Sequence, residues 1–194
     1  MENVNRVVSS EAEQLILVDE DDREQGFLSK AACHDGAGAL HRAFSAFLFN
    51  AAGELLLQQR ADSKRLWPGY WSNSCCSHPR RGESMTTATE RRLGEELNLA
   101  ADLEFVYKFR YQASYGDLGA EHELCHVFLG RIGGDVRPNE EEIAAIRFVS
   151  AEALDAELSE HPERFTPWFK LEWDTLTCEH ANLLDAYTRG RSAP

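Results

Sequence analysis

A thiol and an imidazole lie two residues apart, immediately before an acidic helix. Cys76 and His78 precede Ser84, which can cap the first turn of a helix. Leu93 and Leu97 then recur at helical spacing, with a pair of glutamates between them. A thiol can carry a proton, and imidazole and carboxylate groups bind divalent metals. Packing alone does not explain this combination, which indicates a chemical site.

The spacing within this stretch resembles the Nudix box, GX5EX7REUXEEXGU. The matching positions begin at Ser77 and continue through Glu83, Arg91, Leu93, Glu95, Glu96 and Leu99. In that family a loop, a helix and a second loop present carboxylates to a divalent metal, and the metal holds the diphosphate of the substrate.

Three positions depart from this box. Ser77 replaces the first glycine, Arg92 replaces the glutamate after the arginine, and Asn98 replaces the last glycine. The usual hydrolytic metal cluster therefore loses a ligand. The pattern argues against hydrolysis and retains metal-assisted binding of a diphosphate.

Three histidines and two glutamates form a candidate metal site. Glu121 and Glu123 lie two apart on a predicted strand and therefore project from one face. Each residue alone is more often an ordinary surface or core residue, and only their joint occurrence near Cys76 favours a ligand set. Mixed nitrogen and oxygen donors suit Mn, Zn, Fe or Mg. The five candidate ligands are His34, His41, His78, Glu121 and Glu123.

Strand patterns dominate the rest of the chain. Runs of alternating or continuous apolar residues, separated by turn residues, predict two hairpins and three further strands. The first hairpin is predicted over residues 14–20 and 23–30, the second over 103–113 and 121–132, and the further strands over 41–50, 54–60 and 142–150.

Helices are predicted between and after these strands. Ser150 can cap a short helix over residues 151–158, and Thr166 with Pro167 begins a longer one toward Gly190. The class is therefore α+β, or an αβα sandwich with a mixed sheet. We expect a flexible segment at residues 1–13, one domain at 14–188 and a tail at 189–194.

Composition and charge exclude several classes of protein. The chain has 194 residues, 43% of them hydrophobic, and a formal net charge of −13, which disfavours nucleic acid and anionic membranes as partners. No apolar run is long enough to cross a bilayer, and the first residues lack the pattern of a secretion signal. Five cysteines without CxxC spacing predict free thiols and a cytoplasmic protein.

Several runs together resemble the type 1 isopentenyl-diphosphate delta-isomerases of the Nudix superfamily, from about residue 14 to about residue 173. These runs are LSKAACHDGAGALHRAFSAFLFN, LLQQRADSKRLWPGYWSNSCCSHPRRGES, RRLGEEL, FRYQASYGDLGAEHELCHVFLG and FTPWF. The resemblance implies a Nudix-like αβα sandwich and a role in isoprenoid biosynthesis. It also implies the interconversion of isopentenyl and dimethylallyl diphosphates through a tertiary carbocation.

The resemblance also assigns the proton carriers. Cys76 acts on one face of the alkene, and Glu123 acts on the other with Tyr111 beside it. A free thiol, with a pKa of about 8.5, cycles between thiol and thiolate near neutrality. Because neighbouring residues on an extended segment point to opposite sides, Cys75 cannot face the same ligand as Cys76. Cys75, like Cys33 and Cys125, is expected to be a packing thiol.

Binding roles follow from the same resemblance. One divalent metal (Mn, Zn or Mg) binds tightly to the five candidate ligands, and one Mg²⁺ arrives with the diphosphate and uses Glu96 and a carbonyl near Cys76. The implied partner is a small-molecule diphosphate, and we expect a monomer or a weak homodimer. The substrate-binding residues are Lys30, Arg60, Lys64, Ser77, Arg92 and Trp168, the last facing the isoprenyl carbons.

Two other functions remain open at this point. A Nudix pyrophosphohydrolase would use the acidic helix to activate water, but Arg92 replaces a carboxylate that it needs. A nonenzymatic module that binds metal or diphosphate would have no use for a thiol facing the ligand. Product analysis on isopentenyl diphosphate separates these three functions.

Overall fold

A computed structural model describes residues 7–190 of the protein. It contains one mixed sheet, five helices and a short 3₁₀ turn at Pro162–Arg164. The strands are β1 Gln14–Val18, β2 Glu24–Ser29, β3 His41–Phe49, β4 Leu55–Arg60, β5 Trp71–Ser72, β6 Cys75–Ser77, β7 Leu103–Ser114, β8 Ala120–Arg131 and β9 Ile143–Val149. The helices are α1 Lys30–Cys33, α2 Met85–Leu97, α3 Ala151–Glu160, α4 Pro167–Glu179 and α5 Ala181–Thr188.

Strand β3 is the centre of the sheet. It pairs in parallel with β8 and antiparallel with β1, β4 and β6. Strands β1 and β2 form one hairpin, β7 and β8 form another, and β9 pairs with β4. The two predicted hairpins and the further predicted strands are therefore confirmed, and so is the mixed sheet.

Helices cover both faces of this sheet. On one face Phe47 and Val127 pack with Phe169 of α4, and on the other face Phe44 packs with Leu93 of α2. Alternation along β3 explains both contacts, because residues three apart on a strand project from opposite faces. The arrangement is the expected αβα sandwich. Among residues 7–190, no helix combines the length and apolar character that a bilayer crossing requires.

Local signals at both ends define helix α2. The Oγ of Ser84 accepts a hydrogen bond from the amide of Thr87 at 3.1 Å, as the sequence predicts. At the other end Asn98 adopts a left-handed conformation with φ 54°, and its amide bonds to the carbonyl oxygens of Gly94 and Leu93. Asn tolerates this conformation better than most residues. It can therefore replace the last glycine of the Nudix box without disrupting the helix end.

The single helix predicted from Thr166 toward Gly190 is wrong. His180 leaves the helical conformation at φ −122° and ψ 24°, and the chain restarts as α5. Its ring stacks on Tyr107 with centroids 5.0 Å apart. The change of direction lets Tyr187 contact Phe49 on the sheet. Apolar periodicity continues across the break, which is why the sequence did not indicate it.

Part of the segment predicted to be flexible, residues 1–13, contacts the domain through Val8. The side chain of Val8 is 7% exposed, and its amide donates to Glu142 at 3.2 Å. Its carbonyl oxygen accepts from Arg80 and Arg92, each at 3.1 Å. These partners are distant in sequence, so no local pattern predicted the packing. Residues 1–6, and residues 191–194 of the predicted tail, lie outside the described residues.

Replacing Ser84 with Ala should lower the free energy of unfolding by about 1 kcal/mol, because an amide at the start of α2 would lose its acceptor. Urea denaturation followed by circular dichroism measures the loss. Ser84→Asp is the control, since Asp also caps helices and should remain close to the wild type. Equal stability of Ser84→Ala and the wild type would show that the cap does not stabilise the helix.

Candidate active site

A cavity of about 580 Å³ lies where strands β6, β7 and β8 meet the first residues of helices α1 and α4. The lining includes polar side chains from all of these elements and from segments on either side of them. The predicted site residues that line the cavity are Lys30, His34, Arg60, Lys64, Cys76, Ser77, His78, Arg92, Tyr111, Glu121, Glu123 and Trp168. The structure therefore brings together nearly all of the residues selected from the sequence.

Strand register brings the five metal-ligand candidates together. His41 on β3 is the direct partner of Glu123 on β8, and Glu121 lies two residues earlier on the same face. His78 follows β6, which is also paired with β3. His34 follows helix α1. One ligand atom from each of the five residues lies within 4.8 Å of all the others.

Backbone contacts orient two of the imidazoles. The Nδ1 atoms of His34 and His41 lie 2.7 Å from the carbonyl oxygens of Lys30 and Ala39. Because a carbonyl only accepts, each Nδ1 donates to it, and this contact fixes the direction of each Nε2. Both Nε2 atoms point toward the glutamates, with His34 Nε2 2.8 Å from Glu121 Oε2 and His41 Nε2 3.7 Å from Glu123 Oε1.

The electrostatics of this cluster favour a bound cation. Burial, with His41 and His34 nearby, holds the pKa of His78 well below its usual value, so its ring is neutral. Burial acts to raise the pKa of Glu121, but His34 outweighs it and the pKa is lowered. Burial acts to lower the pKa of His34, but Glu121 outweighs it and the pKa is raised. Because metals bind the neutral imidazole and the ionised carboxylate, a bound cation would take the place of the proton on His34. Five buried nitrogen and oxygen donors therefore fit a divalent metal.

The adjacent cysteines face opposite sides of the sheet, as predicted. Cys75 is buried with Phe44 and Leu93 beneath α2, whereas Cys76 lines the cavity. Burial raises the pKa of the Cys76 thiol to about 12, although Arg60, whose Nη1 lies 4.0 Å from the sulfur, acts to lower it. The expectation that this thiol cycles near neutrality from an ordinary pKa is wrong. In this environment the thiol is protonated.

Glu123 connects the metal-ligand cluster to the cavity. One oxygen, Oε2, accepts a hydrogen bond of 2.6 Å from the hydroxyl of Tyr111, and the other lies 2.7 Å from Nε2 of His78. Burial acts to raise the pKa of Glu123, but His41 and Tyr111 bring it below its usual value. Burial and the neighbouring Glu123 hold the pKa of Tyr111 well above its usual value. The tyrosine therefore remains a hydrogen-bond donor to an ionised carboxylate.

Trp168 forms one wall of the cavity. It is 3% exposed, and its Nε1 donates to Ser72 Oγ at 3.1 Å. The ring of Trp67 meets it edge-on at 5.2 Å, and the guanidinium carbon of Arg60 lies 5.2 Å from its ring centre. These contacts hold the indole in one orientation. A fixed aromatic face can stabilise a cation at a desolvated position by about 2 kcal/mol.

Several basic residues of the cavity already have anionic partners, and that of Lys30 is Glu11, at 3.5 Å. Lys64 forms an ion pair with Glu142, Arg92 forms one with Glu96, and Nη2 of Arg92 lies 3.7 Å from Glu142. Lys30 bonds to the hydroxyl of Ser9. Sequence analysis missed Glu142, and its only signal was a run of three glutamates just before β9.

Glu96, like His41, is a predicted metal ligand that does not line the cavity. Its carboxylate is buried behind Arg92, the residue that replaces the glutamate of the Nudix box. Two other box glutamates, Glu83 and Glu95, bond to Arg91 at 2.7 and 3.0 Å. The carboxylates of the box are thus engaged with arginines. A cation could use Glu96 only after Arg92 releases it.

Comparisons with known proteins agree with this geometry. The NUDIX domain model matches residues 39–169. The "Isopentenyl-diphosphate Delta-isomerase 1" of Photorhabdus laumondii is 44% identical over 174 residues, covering 89% of this chain and 99% of that relative. The "Isopentenyl-diphosphate Delta-isomerase" of Serratia proteamaculans is 48% identical over 158 residues, covering 81% of this chain and 87% of the relative.

Solved structures support the fold. A protein of Deinococcus radiodurans matches with a TM-score of 0.65 at 22% identity, covering 91% of this chain and all 100% of its own. A MutT protein of Methanosarcina mazei matches with a TM-score of 0.59 at 19% identity, covering 73% of this chain and 95% of its own. With the family model and the relatives at 44–48% identity, these matches assign the chain to the Nudix superfamily, and within it to the isopentenyl-diphosphate delta-isomerase family.

Proposed function

We propose that this protein interconverts isopentenyl diphosphate and dimethylallyl diphosphate. One observation carries the proposal: a thiol, a carboxylate bonded to a phenol, and a fixed indole face the same cavity, beside a cluster able to hold a metal. The names of the relatives support the same reaction. The free thiols support a cytoplasmic location, and the acidic charge favours a small-molecule partner over nucleic acid. We propose that the protein acts as a monomer or weak homodimer.

The reaction adds a proton to the terminal alkene carbon, which leaves a tertiary cation on the other alkene carbon. It then removes a proton from the methylene group on the far side of that cation, and the double bond forms there. An unactivated alkene is a poor base, so the proton donor must be positioned against it in a site closed to water. Cys76 and Glu123, the latter with Tyr111, are the two proton carriers, and they exchange roles when the reaction runs in reverse. Positioned proton transfer contributes about 10² to 10⁴ in rate. Trp168 faces the cationic carbon between them.

A metal bound by the five candidate ligands would increase the acidity of Glu123 and fix its orientation. The mixed nitrogen and oxygen donors of this cluster suit Mn, Zn or Mg, and Mg²⁺ suits the oxygen-rich contacts of a diphosphate. The second cation would be Mg²⁺ that arrives with the substrate and uses Glu96 and a carbonyl near Cys76. The diphosphate itself would contact Lys30, Arg60, Lys64, Ser77 and Arg92.

The arginine at position 92 favours isomerisation over hydrolysis. A Nudix hydrolase needs several free carboxylates on α2 to hold metal and activate water. Here the guanidinium groups of Arg91 and Arg92 bond to Glu83, Glu95 and Glu96. A binding module would leave the buried thiol without a purpose.

Incubation with isopentenyl diphosphate should yield dimethylallyl diphosphate without release of phosphate. In deuterated water the product and the returned substrate should both acquire deuterium, because each cycle exchanges protons between the substrate and the protein. Mass spectrometry and a phosphate assay measure these outcomes. Phosphate release would indicate a hydrolase, and an unchanged ligand would indicate a binding module. An unlabelled product would exclude the proton-transfer mechanism.

Cys76→Ser should reduce turnover by at least about 10² to 10⁴, because a hydroxyl is a much weaker acid than a thiol. Cys75→Ser is the matched control, since this thiol is buried on the opposite face of the sheet and should change turnover far less. Circular dichroism of both variants checks the fold. An active Cys76→Ser enzyme, or an inactive but folded Cys75→Ser enzyme, would contradict the assignment.

The purified protein should contain about one tightly bound divalent metal per chain, and its removal by a chelator should abolish activity. His41→Ala should lower the metal content measured by elemental analysis. His122→Ala is the control, because this residue lies between Glu121 and Glu123 but its ring contacts the carbonyl of Gly38 at 3.3 Å. Full activity in a rigorously metal-free sample would exclude a required metal.

A further inference from the structure

Glu172 is a carboxylic acid in the apolar core beneath the active site. It lies one helical turn after Trp168 on α4 and is 0% exposed. Its Oε1 is 3.4 Å from the sulfur of Cys125, and that sulfur is 3.5 Å from Oγ of Ser45. Its second oxygen, Oε2, is buried without a hydrogen-bond partner. Nothing in the proposed reaction uses this group.

The three side chains lie where the elements of the site converge. Cys125 follows Glu123 by two residues on β8 and so shares its face. Ser45 on β3 is the direct cross-strand partner of Cys76 on β6 and also shares its face. Glu172 therefore bridges the helix that carries the indole and the two strands that carry or adjoin the proton carriers.

The surroundings of Glu172 keep it uncharged. Burial raises its pKa to about 8, Ser45 and Cys125 partly oppose this, and Glu123 adds to it. None of these groups is a cation that could compensate an ionised carboxylate. From strand β7, the hydroxyl of Tyr107 donates to the backbone oxygen of Glu172 at 3.2 Å.

The other titratable groups on this side offer no compensating charge. Burial raises the pKa of Cys125 well above its usual value and that of Tyr107 far above the neutral range, so both stay protonated. Cys76 on β6 is likewise protonated, and Glu123 is the one anion of the set. Ionisation of Glu172 would thus place a second negative charge in the core, close to Glu123.

We propose that Glu172, in its neutral form, is a positioning residue that ties helix α4 to strands β3 and β8 and so holds Trp168 against the reacting carbons. This inference rests on the proposed isomerase function. The carboxyl accepts from the thiol of Cys125 at 3.4 Å, and a proton on its unpartnered second oxygen keeps the buried group uncharged. Loss of that proton would place an uncompensated negative charge in the core near Glu123, and the resulting repulsion would move helix α4 away from strand β8. A shift of about 1 Å at a distant positioning group can cost about 10² in rate.

The test compares Glu172→Gln with Glu172→Leu, because Gln keeps a neutral hydrogen-bonding end and Leu does not. At pH 7, Glu172→Gln should retain kcat near the wild type, and Glu172→Leu should lose about 10- to 100-fold in kcat with little change in KM. The diphosphate contacts that set KM lie elsewhere in the cavity. Wild-type kcat for Glu172→Leu would overturn the proposal.

The pH profile adds a readout that a simple packing defect would not change. A group with a pKa of about 8 is about one tenth protonated at pH 9, so wild-type kcat should fall about tenfold more between pH 7 and pH 9 than that of Glu172→Gln. Glu179→Gln, the same substitution at an exposed position of α4, is the control and should follow the wild type. Identical profiles for the wild type and Glu172→Gln would overturn the proposal.

Stability distinguishes a failure of this inference from a failure of the proposed function. Because folding raises the pKa of Glu172 above its unfolded value, the unfolded chain binds fewer protons and wild-type stability falls as the pH rises toward 8. The urea midpoint of Glu172→Gln should fall less between pH 6 and pH 9. A protein that shows this difference but makes no dimethylallyl diphosphate would refute the isomerase alone. Equal shifts of the urea midpoint in the wild type and in Glu172→Gln would refute the proposal that a neutral Glu172 positions helix α4.

Discussion

The parallel pairing of β3 with β8 is the constraint on which the active site depends. Its register sets His41 opposite Glu123, and the alternation of the strands places Glu121 on the same face. A shift of one residue in the register of β8 against β3 would turn both glutamates toward α2 and separate them from the histidines. Strand β6 takes its position from the same central strand, so Cys76 depends on the same register. Helix α4 then covers the face of the sheet that carries the site.

Much of this arrangement could be predicted from the sequence, because several of its causes are local. Ser84 is followed by helical periodicity and caps a helix, and Glu121 and Glu123 are spaced to share a face of a strand. Because side chains of adjacent residues in an extended segment point to opposite faces, the sequence alone could predict that only one of Cys75 and Cys76 faces the ligand. The spacing of the box and the runs around WSNSCCSHP then identified the family to which the chain belongs.

The remaining features depend on contacts between distant parts of the chain. Val8 and Glu142 are 134 positions apart and meet only in the folded molecule. At the helix break, the ring of His180 stacks on Tyr107 of a distant strand. The spacing of apolar residues along the helix gives no sign of such a contact. The acidity of Cys76 was misjudged because burial, which the sequence does not display, outweighs the effect of the nearby arginine. In each case tertiary environment decided the outcome.

The pairing of the cavity's cations with the protein's own carboxylates determines what a diphosphate must bring with it. An anion that takes over Lys64 and Arg92 leaves Glu142 and Glu96 buried without these cationic partners, and an uncompensated buried charge costs several kcal/mol. Binding of the anion alone therefore replaces one set of ion pairs with another and gains little binding free energy. Entry as a complex with a divalent cation supplies a new partner for the displaced carboxylates. Affinity for the anion and affinity for the cation are thereby linked, each increasing the other.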